Sequence, residues 1–203
     1  MKPLFPFTLV AALLVGCATP KPPTYQNPSF DTSKVDEITI LSVVDARVGK
    51  VKQFKWDRAY PKPTAGKLKS KGYKVRLHLD PNLVAGITSE SFTNASPEWI
   101  RSLGPSDANW IFLWLIRGTS HKVVAVDFSF DMIFWGPKGK AGISAVLFDK
   151  QNRNIAWYNE VNTETPAIGG LIGMMLASQV ENDAVEAAFH AILSGFPQKA
   201  KPK

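Results

Sequence analysis

The stretch Trp110-Ile111-Phe112-Leu113-Trp114-Leu115-Ile116 decides the fold of this chain. Every residue in it is apolar, so neither face of a strand made from it could lie against water. Such unbroken apolar runs are typical of strands that are covered on both faces of a sheet. Helices supply those covering layers in α/β proteins. The stretch therefore predicts a central strand between two helical layers.

Further strands are predicted on either side of this stretch. Residues 37–45 contain an apolar run with a β-branched bias, and residues 73–79 alternate between apolar and polar. From 124 to 134 apolar residues occupy every second position, which predicts one amphipathic strand. Residues 142–149 and 155–161, joined by a polar turn, predict a hairpin.

Helices are predicted at 62–71, at 96–104 and at 168–193. Ser96 is a suitable N-cap, and Pro97 suits the first helical position. The last helix begins with a glycine-rich apolar run, for which membrane insertion or a partner helix is an alternative to tight packing on the sheet. Together these elements predict a single mixed α/β domain with about five to six strands, flanking helices and a long C-terminal helix.

The amino terminus has the parts of a secretory signal peptide. Lys2 supplies the positive charge, an apolar run covers residues 9–14, and small Gly16 precedes Cys17. The proline-rich residues that follow favour an extended spacer. The predicted organisation is a signal peptide at 1–16, a tether at 17–34, an α/β domain at 35–197 and a basic tail at 198–203.

The sequence Leu14-Val15-Gly16-Cys17 resembles a bacterial lipobox. The resemblance implies that the Cys17 thiol receives diacylglycerol, that the signal peptide is removed, and that the new amino terminus takes an acyl chain such as palmitate. Cys17 is also the only cysteine, so it has no disulfide partner in this chain. In enterobacterial lipoproteins, an aspartate directly after the acylated cysteine favours retention at the inner membrane. This chain has Ala18 at that position. An outer-membrane anchor is therefore expected.

The formal charge is +7, and much of the basic excess lies between Lys50 and Lys74. Aromatic residues interleave with basic ones there, and they form one candidate interaction surface: Lys52, Phe54, Lys55, Trp56, Arg58 and Tyr60. These residues are interpreted first as an ordinary solvated surface. The more specific alternative is contact with anionic lipid headgroups or peptidoglycan. An exported protein meets no nucleic acid, so that class of partner is not expected.

Catalytic and metal-binding patterns are absent from the sequence. His78, His121 and His190 lie far apart, and the sequence has no HExxH, nucleophile elbow or phosphate loop. On a single strand, Asp127 and Asp131 would share one face, where two carboxylates could hold a cation or share a proton; a solvent face is the alternative. Asp45 and Arg47 follow the first strand and suit a turn salt bridge. No enzyme, cofactor or metal is expected.

The order of several segments resembles a family of Gram-negative lipoproteins of unknown function, of the neisserial surface-antigen-candidate type. These segments are residues 43–47, 68–75, 104–108, 145–149, 155–158 and 169–173. The resemblance covers 35–196 and implies an α/β domain related to the amino-terminal domain of TolB and to the curli-secretion lipoprotein. At residues 50–64 the sequence departs from the pattern of the family. It transfers no catalytic residue, only the acylated cysteine, onto Cys17.

These observations predict a non-enzymatic lipoprotein that faces the periplasm, as an accessory or assembly component of an envelope transport or secretion complex. Its expected partners are the membrane, through acylated Cys17, and other envelope proteins or further copies of itself. Exposure at the cell surface stays open. The alternative function is the binding of a small ligand, a lipid or a peptidoglycan fragment, and a weaker one is an enzyme that uses Asp127 and Asp131.

Overall fold

One seven-stranded mixed sheet organises the chain. The structure is a computed structural model, and it describes residues 23–47, 59–128, 132–165 and 177–201. The strands are β1 (Tyr25–Gln26), β2 (Glu37–Leu41), β3 (Val44–Asp45), β4 (Lys74–His78), β5 (Trp110–Phe128), β6 (Met132–Asp149) and β7 (Asn154–Glu164). The helices are α1 (Pro61–Ser70), α2 (Ser89–Thr93), α3 (Pro97–Ser102) and α4 (Ala177–Ser194). Short 3-10 turns cover Thr32–Lys34 and Pro81–Val84.

The strand order is β1-β7-β6-β5-β2-β4, with β3 pairing with β5 off this path. β2 runs parallel to both β4 and β5, and β3 is parallel to β5. The pairs β5–β6, β6–β7 and β7–β1 are antiparallel. The predicted mixed α/β domain with flanking helices and a long C-terminal helix is confirmed, with seven strands.

The stretch from Trp110 to Ile116 is buried on both faces, as predicted, because its alternate residues enter two different cores. Trp110, Phe112, Trp114 and Ile116 pack with residues of α1 and α4. Ile111, Leu113 and Leu115 pack with residues of α2 and α3 on the opposite face. All seven are exposed by 8% or less. Burial of this much apolar area is the main stabilising contribution to the domain.

α4 lies across the first of these faces. Its buried residues recur every three or four positions, which makes one apolar stripe: Val180, Ala184, Val185, Ala188, Phe189, Ile192 and Leu193. The ring of Phe189 stacks on Trp114 with centroids 4.8 Å apart. Residues 168–176, where the sequence predicted the start of this helix, lie outside the described residues.

The single strand predicted from 124 to 134 is wrong. Val124–Phe128 belongs to β5 and Met132–Phe134 to β6, and the chain reverses between them, so that Phe128 pairs with Met132 and Val126 with Phe134. The alternating pattern led to the wrong prediction because its serine and aspartate residues are as common in turns as on the solvent face of a strand. Period-two patterning continues through such a reversal without a break.

Both ends of the described chain are bonded to the domain. β1, within the segment that the sequence assigns to the tether, pairs Tyr25 with Tyr158 of β7. Near the carboxyl end, the Lys199 ammonium donates to the Val35 carbonyl at 2.6 Å, and the Ala200 N–H donates to Thr32 Oγ1 at 2.9 Å.

Candidate functional site

The sheet face that α2 and α3 cover becomes polar beyond Leu115. On β6 the positions that follow on this face are Ser144, Gly142 and Lys140, and their partners on β7 are Glu160, Asn162 and Glu164. A cleft of about 500 Å³ opens there, lined by Arg117, Gly118, Ser120, Lys140, Gly142, Asn162 and Glu164 among others. We call it the open-face cleft.

Arg117 enters this cleft because β5 carries an irregularity at that position. Ile116 pairs with Ile143 and Gly118 with Gly142, so Arg117 is an extra residue between two regular pairs. Its guanidinium spans β6 to reach β7, where Nη1 lies 2.9 Å from Glu160 Oε1 and Nη2 donates to Asn162 Oδ1 at 3.2 Å. The Nε atom of Arg117 is buried and has no acceptor among the described residues.

Two paired glycines form the floor beneath Arg117. A Cβ on Gly142 would lie 2.9 Å from Asn162 Oδ1 and 3.6 Å from Arg117 Nη2, so any side chain there would disturb this contact. A Cβ on Gly118 would meet nothing within 4 Å, so the hollow of the cleft lies above that residue. Glycine at both positions lets the backbone itself form the base of the site.

A group of charged side chains forms the side of the cleft at β7. Glu164 Oε2 lies 2.5 Å from Lys138 Nζ, and its other oxygen pairs with Lys140. Hydrogen bonds from Lys138 and then Lys140 lower the pKa of Glu164 to about 2. This carboxylate is therefore ionised throughout the neutral range.

Tyr158 extends the network away from the cleft. Its hydroxyl donates to Glu160 Oε2 at 2.5 Å and lies 3.3 Å from Ser144 Oγ. Burial and then the hydrogen bond to Glu160 raise the pKa of Tyr158. The Glu160 carboxylate therefore interacts with both Arg117 and Tyr158, which holds the arginine in one position.

Polar recognition is the chemistry that this arrangement can perform. Both carboxylates of the cleft contact a cation, and the glycine floor leaves room for a ligand or a protruding side chain. Within the described residues, no group of three or more His, Cys, Asp or Glu side chains could hold a metal ion.

Most of the residues that the sequence singled out lie outside the described residues: Cys17, Lys52, Phe54, Lys55, Trp56 and Arg58. Tyr60 is described and half-buried, immediately before α1, with its ring 4.9 Å from that of Phe189. Burial and then the nearby Glu186 carboxylate raise the pKa of Tyr60. The structure thus packs this ring against α4.

The two pairs that the sequence singled out, Asp127 with Asp131 and Asp45 with Arg47, have different outcomes. Asp127 pairs with Ile133 across the β5–β6 hairpin, so Asp127 and Asp131 are not two positions on one strand; the Asp127 side chain and all of Asp131 lie outside the described residues. Asp45 and Arg47 do form an ion pair, with two hydrogen bonds at 2.8 and 2.7 Å. Arg47 also donates to Thr119 Oγ1 at 3.1 Å.

The open-face cleft was not recognised from the sequence. Its signals were present: Lys138 and Lys140, like Glu160, Asn162 and Glu164, follow a period of two. Each set alone is typical of a solvated strand face. Only the register, which sets Gly118 against Gly142 and Lys140 against Glu164, brings them together.

No protein-family model matches the sequence, and no curated protein sequence matches it. Among solved structures, PelC from Paraburkholderia phytofirmans, a dodecamer, is 14% identical, with 85% of this chain and 96% of that chain covered and a TM-score of 0.45. Lipoprotein GNA1162 from Neisseria meningitidis is 16% identical over 74% of this chain and 99% of that one, with a TM-score of 0.37. Protein CT253 from Chlamydia trachomatis is 13% identical, covering 78% and 94%, with a TM-score of 0.43. The likeness to each of these structures is distant.

None of the described helices is both long enough and apolar enough to cross a membrane.

Proposed function

We propose that this chain is an envelope lipoprotein, held at the outer membrane by acylated Cys17. Its domain would serve as a non-enzymatic accessory or assembly component of an envelope transport or secretion complex. The order of signal peptide, Gly16 and Cys17 supports the anchor. The open-face cleft supports the binding role, and Arg117, fixed between Glu160 and Asn162, is the observation that carries it.

The charges of the cleft favour recognition over catalysis. A general base needs a pKa near the working pH, and a Glu164 carboxyl with a pKa of about 2 is a poor proton acceptor. Glu160 accepts a hydrogen bond from Tyr158 and an ion pair from Arg117. Prearranged ion pairs of this kind suit binding to the polar surface of another protein, where they fix orientation.

Anchoring is tested by metabolic labelling with an alkyne analogue of palmitate, followed by separation of the inner and outer membranes. The wild-type chain is expected to carry the label and to sediment with the outer membrane. The Cys17→Ser chain should carry none. Labelling of the Cys17→Ser chain, or a wild-type chain without label, would contradict the anchor.

Partner binding is tested by a photo-crosslinking amino acid at Ser120, an exposed residue at the mouth of the cleft. The matched control places the same amino acid at Ser194, which is exposed at the end of α4. An adduct with a distinct envelope protein is expected from Ser120 alone, and Arg117→Gln should reduce it. Adducts that contain only this chain, or equal adducts from both positions, would remove the support for a heteromeric complex.

A second candidate is the binding of a small polar ligand such as a peptidoglycan fragment. The open space above Gly118 favours it, because a carboxylate or hydroxyl there could accept a hydrogen bond from the cations that line the cleft. The lipid alternative finds less support. The small apolar cavity beside Trp114 and Phe189 has about 10 Å³, which is too little for an acyl chain.

Thermal unfolding with and without soluble muropeptides separates this candidate from the first. A ligand that binds the folded chain raises the melting temperature as its concentration rises. The increase should disappear in Arg117→Gln and persist in a Leu77→Ser control, which alters an exposed residue of β4. A melting temperature independent of muropeptide concentration would dismiss this candidate.

A further inference from the structure

The β5–β6 hairpin extends beyond the rest of the sheet. β7 ends at Glu164, the partner of Lys140, and β3 ends opposite Ile116. From there β5 and β6 continue as a pair to Phe128 and Met132. We call residues 121–128 and 132–139 the arm. No third strand pairs with the arm in the part of the chain that the structure describes.

The arm is long enough to need a partner of its own. Phe128 lies six positions after Lys122, and at about 3.3 Å per position this part of the arm spans roughly 20 Å. A ribbon of only two strands is marginally stable in water. Its edges also present unpaired backbone groups. The arm therefore gains stability from contact with another surface.

The register gives one face of the arm an ordered chemistry. Cross-strand partners share a face, and alternate pairs return to it. Starting from Lys140 in the open-face cleft, the pairs on that side are Ser120 with Lys140, Lys122 with Lys138, Val124 with Gly136, Val126 with Phe134, and Phe128 with Met132. Along the arm, this face thus begins at the charged cleft, continues through the pair of lysines and ends in apolar residues.

The charges at the base of this face favour an anionic partner. Lys122 stands directly opposite Lys138, and like charges in that position destabilise a strand pair. Counting the adjoining cleft, four basic residues (Arg117, Lys122, Lys138 and Lys140) share this side with the acidic Glu160 and Glu164. Glu160 pairs with Arg117, and Glu164 pairs with Lys138 and Lys140, so the excess is two positive charges, which a negatively charged surface would relieve.

The apolar end excludes a purely ionic partner. Among residues 123–128 and 132–137 the only charged one is Asp127, whose register partner Ile133 assigns it to the opposite face. An apolar patch bordered by lysines matches a lipid surface, since acyl chains accept the former and phosphates pair with the latter. A soluble anionic polymer would match the lysines alone.

We propose that the arm rests this face on a membrane surface that contains anionic lipids. The pairs Val124 with Gly136, Val126 with Phe134 and Phe128 with Met132 enter the boundary between headgroups and acyl chains, and Lys122 and Lys138 lie at the phosphates. The edges of the arm, with which no described strand pairs, keep it out of the hydrocarbon core, because backbone groups find no partner there. This contact goes beyond the proposed anchor and does not depend on Cys17.

The test uses the full chain with Cys17→Ser, produced without acylation, and measures flotation with vesicles. Vesicles of phosphatidylglycerol and phosphatidylethanolamine are compared with vesicles of phosphatidylcholine alone. Binding is expected only to the first. Val126→Asp together with Phe134→Asp, which charges one cross-strand pair, should weaken binding by about tenfold or more. Lys122→Gln together with Lys138→Gln should remove the preference for phosphatidylglycerol.

The matched control is Leu77→Asp together with Leu79→Asp. These leucines are 37% exposed in and just after β4, away from the arm, and their change should leave vesicle binding as it was. Circular dichroism and thermal unfolding check that each variant folds. If the paired aspartates prevent folding, a fluorophore on Val126→Cys in the Cys17→Ser chain replaces them. Its emission should shift to the blue with anionic vesicles, and the same label on Leu77→Cys should not respond.

The proposal is overturned if the parent chain does not bind the anionic vesicles, or if the arm variants bind as well as the parent does. It is also overturned if the parent self-associates without lipid and the arm variants abolish this, since the arm would then contact a second copy. Loss of palmitate labelling at Cys17 would leave every one of these outcomes unchanged, so the two proposals fail separately.

Discussion

The indole N–H of Trp114 donates a 2.9 Å hydrogen bond to Oγ1 of Thr64, which joins the central strand to the first turn of α1. The Thr64 hydroxyl donates in turn to the Tyr60 carbonyl at 2.6 Å. Thr64 is fully buried and Trp114 is 2% exposed, so no solvent can replace either partner. A buried tryptophan in the central strand is thereby bonded to the first turn of a helix.

Thr64→Val should lower the free energy of unfolding by about 1–3 kcal/mol, because it keeps the side-chain volume and leaves the indole N–H without an acceptor. Urea unfolding followed by fluorescence measures the loss. Thr64→Ser is the control, since it retains the hydroxyl and should remain closer to wild type. An equal loss in both variants would assign the effect to packing and contradict the prediction.

Gly139→Ala should be destabilising because α4 crosses β6 directly over this glycine. A Cβ there would collide with the Val180 carbonyl and lie 2.9 Å from the Glu181 nitrogen. Overpacking of this kind costs about 1–3 kcal/mol. Gly118→Ala is the matched control in the neighbouring strand, where a Cβ meets nothing within 4 Å. Thermal unfolding of the two variants should separate them, and similar melting temperatures would show that α4 adjusts.

Glu164 should make part of the stability dependent on acidic pH. Its pKa falls from 4.5 to about 2 in the folded chain, so the folded state holds fewer protons than the unfolded state between these values. The contribution is present above about pH 4.5 and is lost as the pH falls towards 2. Lys138 and Lys140 then lose their carboxylate partner.

Unfolding in urea from about pH 6 to about pH 2 measures this contribution for the wild type and for Glu164→Gln. The difference between the two should shrink as the pH falls through that window. Direct titration of the Glu164 carboxyl by NMR should give a midpoint near 2. A midpoint near 4.5 would disprove the pairing with both lysines in solution.

Removing one member of the Asp45–Arg47 pair should cost more than removing both. The two side chains are 11% and 8% exposed, so Arg47→Met leaves a carboxylate in a place that water hardly reaches. Such a change destabilises by about 3–5 kcal/mol, whereas an apolar replacement of a whole buried pair is often close to neutral. A double-mutant cycle with Asp45→Leu measures the coupling. Additive losses would show that the pair contributes no interaction energy.

Local features of the fold could be predicted from the sequence because they depend on nearby residues. The apolar run from Trp110 to Ile116 predicted a strand that is covered on both faces. Gly72, with φ at 93°, follows α1, which ends at Ser70 within one residue of the predicted end at 71, and Ser96 Oγ caps α3 by accepting from the Trp99 N–H. Each of these depends on a side chain within a few positions of its partner.

The site could not be predicted in the same way because it depends on register between distant segments. Nothing near Arg117 in sequence indicates that it is an extra residue in β5, or that Asn162 lies 45 positions away at hydrogen-bond distance. In the sequence nothing distinguishes Gly118 and Gly142 from other strand glycines, and their role in the cleft follows only from their pairing. The reversal after Phe128 was hidden for a related reason, since alternation does not encode strand direction.

β1 has a mechanical consequence for the domain. It holds the chain by two residue pairs with β7, Tyr25 with Tyr158 and Gln26 with Trp157, whereas β2 lies inside the sheet between β4 and β5. A pull on the chain ahead of Thr24 therefore loads an edge strand and not one inside the sheet. Behind β1 the chain is still held by the Asn27 N–H, which donates to the Ala156 carbonyl at 3.0 Å, and by the Phe30 ring, 5.8 Å from that of Trp110. Tension from the amino-terminal side thus meets these contacts before it reaches β2 and the cores.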